Sequence, residues 1–77
     1  MTSAELADLF VATLLRELGG NRRRWRNVLG EARLYSEDTH PHCNWSFTPH
    51  GTAAENAAVE RIADRLRGQH PIVKAWK

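Results

Sequence analysis

A chain of 77 residues with 42% hydrophobic and 26% charged residues has the composition of one small globular domain spanning residues 1–77. This composition excludes a disordered tail, and no apolar run approaches the ~20 residues that a membrane span needs. The net charge of +2 comes in blocks, because residues 1–19 and 37–60 are acidic whereas residues 20–36 and 61–77 are basic.

The compartment is indicated by the cysteine content and by the first residues. The single cysteine, Cys43, cannot form an internal disulfide, which is typical of a reducing compartment. The segment after Met1 lacks the basic and then apolar pattern of a secretory signal. We therefore expect a cytoplasmic protein that does not associate with a membrane.

The first predicted element is a helix over residues 2–18. Thr2 and Glu5 have the spacing of a capping box, and apolar residues recur three and four positions apart along the segment. Gly19 and Gly20 then end the helix, since glycine adopts the left-handed conformation of a helix terminus without strain.

The middle of the chain predicts a β-hairpin. Residues 23–35 are interpreted as a strand, although a helix over 22–29 is an alternative that the pattern leaves open. Gly30 in mid-strand would mark a bulge or the close approach of a helix. The polar segment 36–42 is turn-like, and a short strand over 43–48 would pair antiparallel with the first.

A second helix is predicted over residues 53–67. Thr52 and Glu55 form another capping box, and Gly68 is a termination signal. The apolar tail, residues 70–77, would add a short third strand beside the hairpin. The order helix, strand, strand, helix thus predicts a small single-domain α+β fold, in which an antiparallel hairpin packs against two helices.

The segment HPHCNW, residues 40–45, raises the question of a metal site. His40, His42, Cys43, His50 and His70 could supply four zinc ligands in number. On a strand, however, His40 and His42 would point away from Cys43, and no pair has the spacing that usually anchors zinc. We therefore expect Cys43 to be a small buried apolar residue and expect no metal or cofactor. A zinc-stabilised domain is a distant alternative.

Enzymatic activity is not indicated by any motif. The segment LGGN follows a helix rather than opening one, so it is not a phosphate-binding loop. The carboxylates form no evident catalytic pair, and a domain of this size has little volume for a cleft. We therefore expect a non-enzymatic protein.

The segment NRRRWR, residues 21–26, is the strongest functional signal. Guanidinium groups contact phosphates, and an exposed indole can stack on a base. If residues 23–35 form a strand, alternation would place Arg33 and Tyr35 on the same surface as Trp25. The predicted binding residues are Arg22, Arg23, Arg24, Trp25, Arg26, Arg33 and Tyr35.

A structural interpretation of the same run remains open. Trp25 would then pack under a helix, and the arginines would be solvated or paired with carboxylates. The candidate carboxylates are Glu37, Asp38, Glu55 and Glu60.

Two binding functions follow from the arginine run. The first is a nucleic-acid-associated accessory or regulatory protein that uses the Arg/Trp patch. The second is a protein-interaction module that uses the same surface, either as a homodimer or as an inhibitor or adaptor of a larger complex. Arginine and tryptophan are also enriched in protein hot spots, so an acidic protein surface is the alternative partner.

Overall fold

The computed structural model describes residues 1–75, and within this range it contains three helices and one two-stranded antiparallel hairpin. The elements are α1 (Ser3–Leu18), α2 (Arg22–Leu29), β1 (Arg33–Leu34), β2 (Trp45–Ser46) and α3 (Ala53–Gln69). The predicted α+β fold is confirmed, with one more helix than expected. No helix within residues 1–75 is both long enough and apolar enough to cross a bilayer.

Helix α1 begins where its capping box predicts. The Glu5 N–H donates to Thr2 Oγ1 at 3.1 Å, and the Thr2 N–H donates to Glu5 Oε1 at 2.9 Å. The helix ends at Gly19, whose φ of 77° is strained for any residue with a side chain. The side chains of Leu6, Phe10, Val11 and Leu14 are fully buried and form its inner face.

The strand predicted over residues 23–35 is wrong for most of its length, and the alternative helix over 22–29 is correct. The Asn21 side chain caps this helix by accepting the Arg24 N–H at 2.7 Å. Gly30 ends it with a φ of 69°. The three buried residues of α2 are Trp25, Val28 and Leu29, which have helical spacing. When the sequence pattern of a short segment allows either a strand or a helix, cap residues such as Asn21 and Gly30 favour the helix.

The hairpin is shorter than predicted, with two residues in each strand. Leu34 of β1 lies opposite Trp45 of β2, and the Tyr35 N–H beyond β1 donates to Asn44 O at 2.8 Å. The Asn44 N–H turns away from β1 and donates to Pro71 O at 3.0 Å. The main-chain pairing of the hairpin therefore ends at Tyr35 and Asn44, before the turn segment 36–42.

The predicted third strand is not present among residues 70–75, and residues 76 and 77 of that prediction lie outside the described part of the chain. The tail instead makes a single parallel bridge with the start of α1, between Lys74 and Thr2. The buried side chain of Asn44 holds the tail on its other side, because it exchanges two hydrogen bonds of 2.7 and 2.9 Å with the main chain of Val73.

The core lies between the three helices and the inner face of the hairpin. Trp45 is 2% exposed, and its indole Nε1–H donates to His70 O at 2.8 Å. The ring of Phe10 meets the rings of Trp45 and Phe47 at centroid distances of 5.6 and 4.7 Å. Helix α3 passes through the predicted stop at Gly68 and ends one residue later.

Candidate nucleic-acid interface

The arginine run forms the first turn and the outer faces of α2. Three arginines occupy the first three positions of the helix, and that turn contains no acidic residue. A helix N-terminus carries a partial positive charge, so cations there are unfavourable for the helix itself. The cap by Asn21 and the buried residues must therefore hold α2 in place against this repulsion.

Trp25 is part of the core rather than of the surface. Its side chain is 6% exposed, and its Nε1–H donates to Gly19 O at 2.8 Å. A Cβ at Gly20 would lie 3.2 Å from the same nitrogen, so the turn between α1 and α2 closes tightly around the indole. The expectation of an exposed indole that stacks on a base is wrong, and the alternative in which Trp25 packs inside is correct.

Arg24 joins α2 to the N-terminus of α3. Its Nε–H and Nη2–H groups donate to the two carboxylate oxygens of Glu55 at 3.0 and 2.6 Å. The Arg24 hydrogen bond lowers the pKa of Glu55 to about 2, and in return the pKa of Arg24 is raised. Glu55 is one of the carboxylates predicted as an arginine partner, and Arg24 is committed to it.

Arg26 joins α2 to α1 in the same way. Its Nη2–H donates to Asp8 Oδ1 at 2.5 Å, with both side chains about half exposed or more. Exposed ion pairs of this kind contribute only ~0–1 kcal/mol to stability. Arg24 and Arg26 therefore lie on opposite flanks of α2, and each guanidinium group is bound to a carboxylate there.

Arg22 and Arg23 are the arginines of the run that remain available. Both side chains are exposed, and neither makes an ion pair or a side-chain hydrogen bond with any residue in the described range. Helical geometry places Arg23 opposite the buried Trp25 and places Arg22 one turn before Arg26. Two free guanidinium groups thus stand at the N-terminal end of a fixed helix.

Arg33 and Tyr35 belong to a different surface. The Tyr35 hydroxyl lies 3.2 Å from Ser46 Oγ, and this contact lowers the pKa of the phenol. The Tyr35 ring stacks on His40 with a centroid distance of 4.2 Å. None of the contacts in the described structure joins Arg33 or Tyr35 to the arginines of α2. The seven predicted binding residues are therefore divided between α2, where Trp25 is buried, and the hairpin.

The histidine and cysteine residues of the HPHCNW segment are dispersed. Cys43 is half-buried, and its thiol donates to Trp45 O at 3.4 Å. His40 Nδ1 lies 2.9 Å from the hydroxyl of Thr39. Over the described range, no three side chains of the His, Cys, Asp or Glu type gather into a group that could hold a metal ion.

Asn21 and Asp8 are the residues of this region that the sequence analysis did not identify. The signal for Asn21 was present, because an asparagine that follows a glycine stop and precedes a segment with apolar residues at helical spacing is a typical cap. Asp8 gave no signal, since its arginine partner lies 18 positions away. Comparisons with protein-family models, with curated proteins and with solved structures gave no match to this chain, and function is therefore inferred from the geometry of α2.

Proposed function

We propose that this protein is a non-enzymatic binding module that contacts the phosphate backbone of nucleic acid through the first turn of α2. The observation that carries this proposal is the pair of exposed guanidinium groups on Arg22 and Arg23, which lack ion-pair partners within residues 1–75. Fold stability gives no reason for cations at this position, because the helix dipole opposes them. An anion bound there would relieve the repulsion.

The chemistry of this turn suits a phosphate group. A guanidinium group donates two parallel hydrogen bonds to phosphate oxygens, and the free N–H groups of a helix N-terminus add further donors. The Asn21 cap and the buried side chains of Trp25, Val28 and Leu29 fix α2 in the fold, so little conformational freedom of the helix is lost on binding.

The contacts available at this turn are contacts to the backbone. With Trp25 in the core, α2 offers no aromatic platform for a base. Phosphate contacts fix position and orientation but do not read sequence directly. The proposal therefore implies binding with little sequence preference and a strong dependence on salt.

An acidic protein surface is the second candidate partner. It is favoured by Leu18, which is 51% exposed at the end of α1, close in sequence to the free arginines. Leucine beside arginine is more typical of a protein interface than of a phosphate site. Such an interface would respond less to salt, because part of its stability would come from apolar burial.

The proposal is tested by replacing the two free arginines together. Fluorescence anisotropy with labelled duplex DNA, single-stranded DNA and RNA should show binding by the wild-type chain. Arg22→Gln with Arg23→Gln should weaken it by about tenfold or more, since a hydrogen bond to a charged group is worth ~1.5–3 kcal/mol. Arg24 and Arg26 are left intact because their ion pairs hold the helix.

A matched control removes two charges elsewhere. Arg61→Gln with Lys74→Gln lowers the net charge equally on exposed positions outside α2. The proposal requires this control to bind nearly as well as the wild type. Equal losses in both variants would mean that only overall charge matters, and binding of an acidic protein but of no nucleic acid would favour the second candidate.

A further inference from the structure

The outer edge of β1 is unpaired. Arg33 and Tyr35 direct their main-chain groups toward β2, and the Tyr35 N–H donates to Asn44 O at 2.8 Å. Main-chain direction alternates along an antiparallel strand, so Leu34 directs its N–H and C=O groups away from β2. Ala32 precedes β1, and an extended continuation of the strand through it would direct its N–H and C=O groups to the same outer side. No residue of the described range bonds to these outward groups.

Residues 31–33 lie between two grooves, one on the β2 side of the segment and one against α1. Glu31 and Arg33 are exposed, and Ala32 is half-buried between them. One groove of about 670 Å³ separates residues 31–33 from Thr48 and His50. A second groove, of about 390 Å³, separates the segment from the first two turns of α1. Unpaired main-chain groups at a strand edge can pair with another strand, and the charged residues beside them restrict which strand can pair.

The charges along this edge are complementary to themselves. In an antiparallel pair of two identical strands centred on Ala32, Glu31 would lie opposite the partner's Arg33, and Arg33 opposite the partner's Glu31. Oppositely charged residues that face each other across strands stabilise the pair, whereas like charges destabilise it. A second copy of this chain matches both charges by two-fold symmetry.

We propose that the protein forms a two-fold dimer in which the β1 edges pair antiparallel with Ala32 at the axis. The two hairpins then form one four-stranded sheet. Ala32 exchanges main-chain hydrogen bonds with the partner's Ala32, and the Leu34 N–H donates to the carbonyl of the partner's Gly30. The dimer does not depend on the nucleic-acid function, because Arg22 and Arg23 lie on α2.

Charge exchange tests the proposed register. Sedimentation velocity should show that the wild-type mass approaches twice the 8.8 kDa of one chain as concentration rises. Glu31→Arg alone and Arg33→Glu alone each place like charges opposite each other twice in the dimer, so both should sediment as monomers. The double variant, Glu31→Arg with Arg33→Glu, exchanges the charges and should dimerise again. Circular dichroism of all four chains checks that the helices are retained.

Three sedimentation results would overturn the proposal: a wild type that stays monomeric at its highest soluble concentration, single variants that dimerise like the wild type, or a double variant that remains monomeric. Amide hydrogen exchange gives an independent readout. The Ala32 and Leu34 amides should become protected with rising concentration in the wild type and the double variant only. A dimer that leaves these two amides unprotected forms through another surface and also contradicts the proposal.

Discussion

At the scale of single residues, the side chain of Asn44 joins the hairpin to the C-terminal tail. Its side chain is 5% exposed and hydrogen-bonds to both the N–H and the C=O of Val73. These are the main-chain groups that a neighbouring strand would otherwise pair with. Asn44→Ala would leave the Val73 N–H and C=O unpaired, and we predict a loss of about 2–4 kcal/mol. Chemical denaturation measures it. Asn27→Ala on the exposed face of α2 is the control, and an equal loss there would contradict the account.

The Glu55 carboxylate makes stability depend on acid pH. Its pKa is lowered from 4.5 to about 2 in the folded chain, chiefly by the hydrogen bond from Arg24. A depressed pKa means that the stabilisation is complete above the unfolded pKa and is lost as the pH falls from about 4.5 toward 2.

We predict that Glu55→Gln flattens this part of the stability curve, because glutamine keeps the capping geometry but cannot ionise. Urea midpoints between pH 7 and pH 2 give the curve. Glu37→Gln, an exposed change in the turn after β1, should leave the steepness as in the wild type. A Glu55→Gln curve that still falls as steeply as the wild-type curve would show that other carboxylates govern the acid response.

At the scale of elements, the sequence was sufficient to predict where α1 and α3 begin, but not that α2 is a helix or where α3 ends. Both capping boxes were predicted correctly because all their atoms lie within four residues of each other. Helix α2 was interpreted as a strand because Val28, Gly30, Ala32 and Leu34 alternate across its C-terminal end, although Trp25, Val28 and Leu29 have helical spacing. Gly68 resembles a helix-termination signal but lies inside α3. The contacts that hold the C-terminal tail begin only beyond this glycine.

Alanine substitutions at Gly68 and Gly20 should therefore have opposite effects on the stability of the protein. Gly68 is helical with no other group within 4 Å of where a Cβ would be, so Gly68→Ala should stabilise the protein by about 0.5–1 kcal/mol. Gly20 has a φ of 91° and a Cβ there would meet Trp25, so Gly20→Ala should be destabilising. Thermal melts of the two variants check this, and a destabilising Gly68→Ala would place the end of α3 earlier than residue 69.

At the scale of the whole molecule, the alternating charge blocks of the sequence become contacts between helices. Arg24 pairs with Glu55 and Arg26 pairs with Asp8, each joining a basic block to an acidic one. These partners lie 31 and 18 positions apart, so the sequence supplied candidates but not the pairs. The same geometry divides the arginine run, since Arg24 and Arg26 are in ion pairs whereas Arg22 and Arg23 have none within residues 1–75.

We propose that the side chains of Arg22 and Arg23 contact the phosphates of nucleic acid. The most direct test is the dependence of duplex DNA affinity on salt, measured for the wild type and for Arg22→Gln with Arg23→Gln. The logarithm of the binding constant falls linearly with the logarithm of salt concentration, with a slope of about −0.9 for each phosphate neutralised. If both arginines contact phosphates, the slope of the variant should be smaller in magnitude by roughly two. An unchanged slope would contradict it.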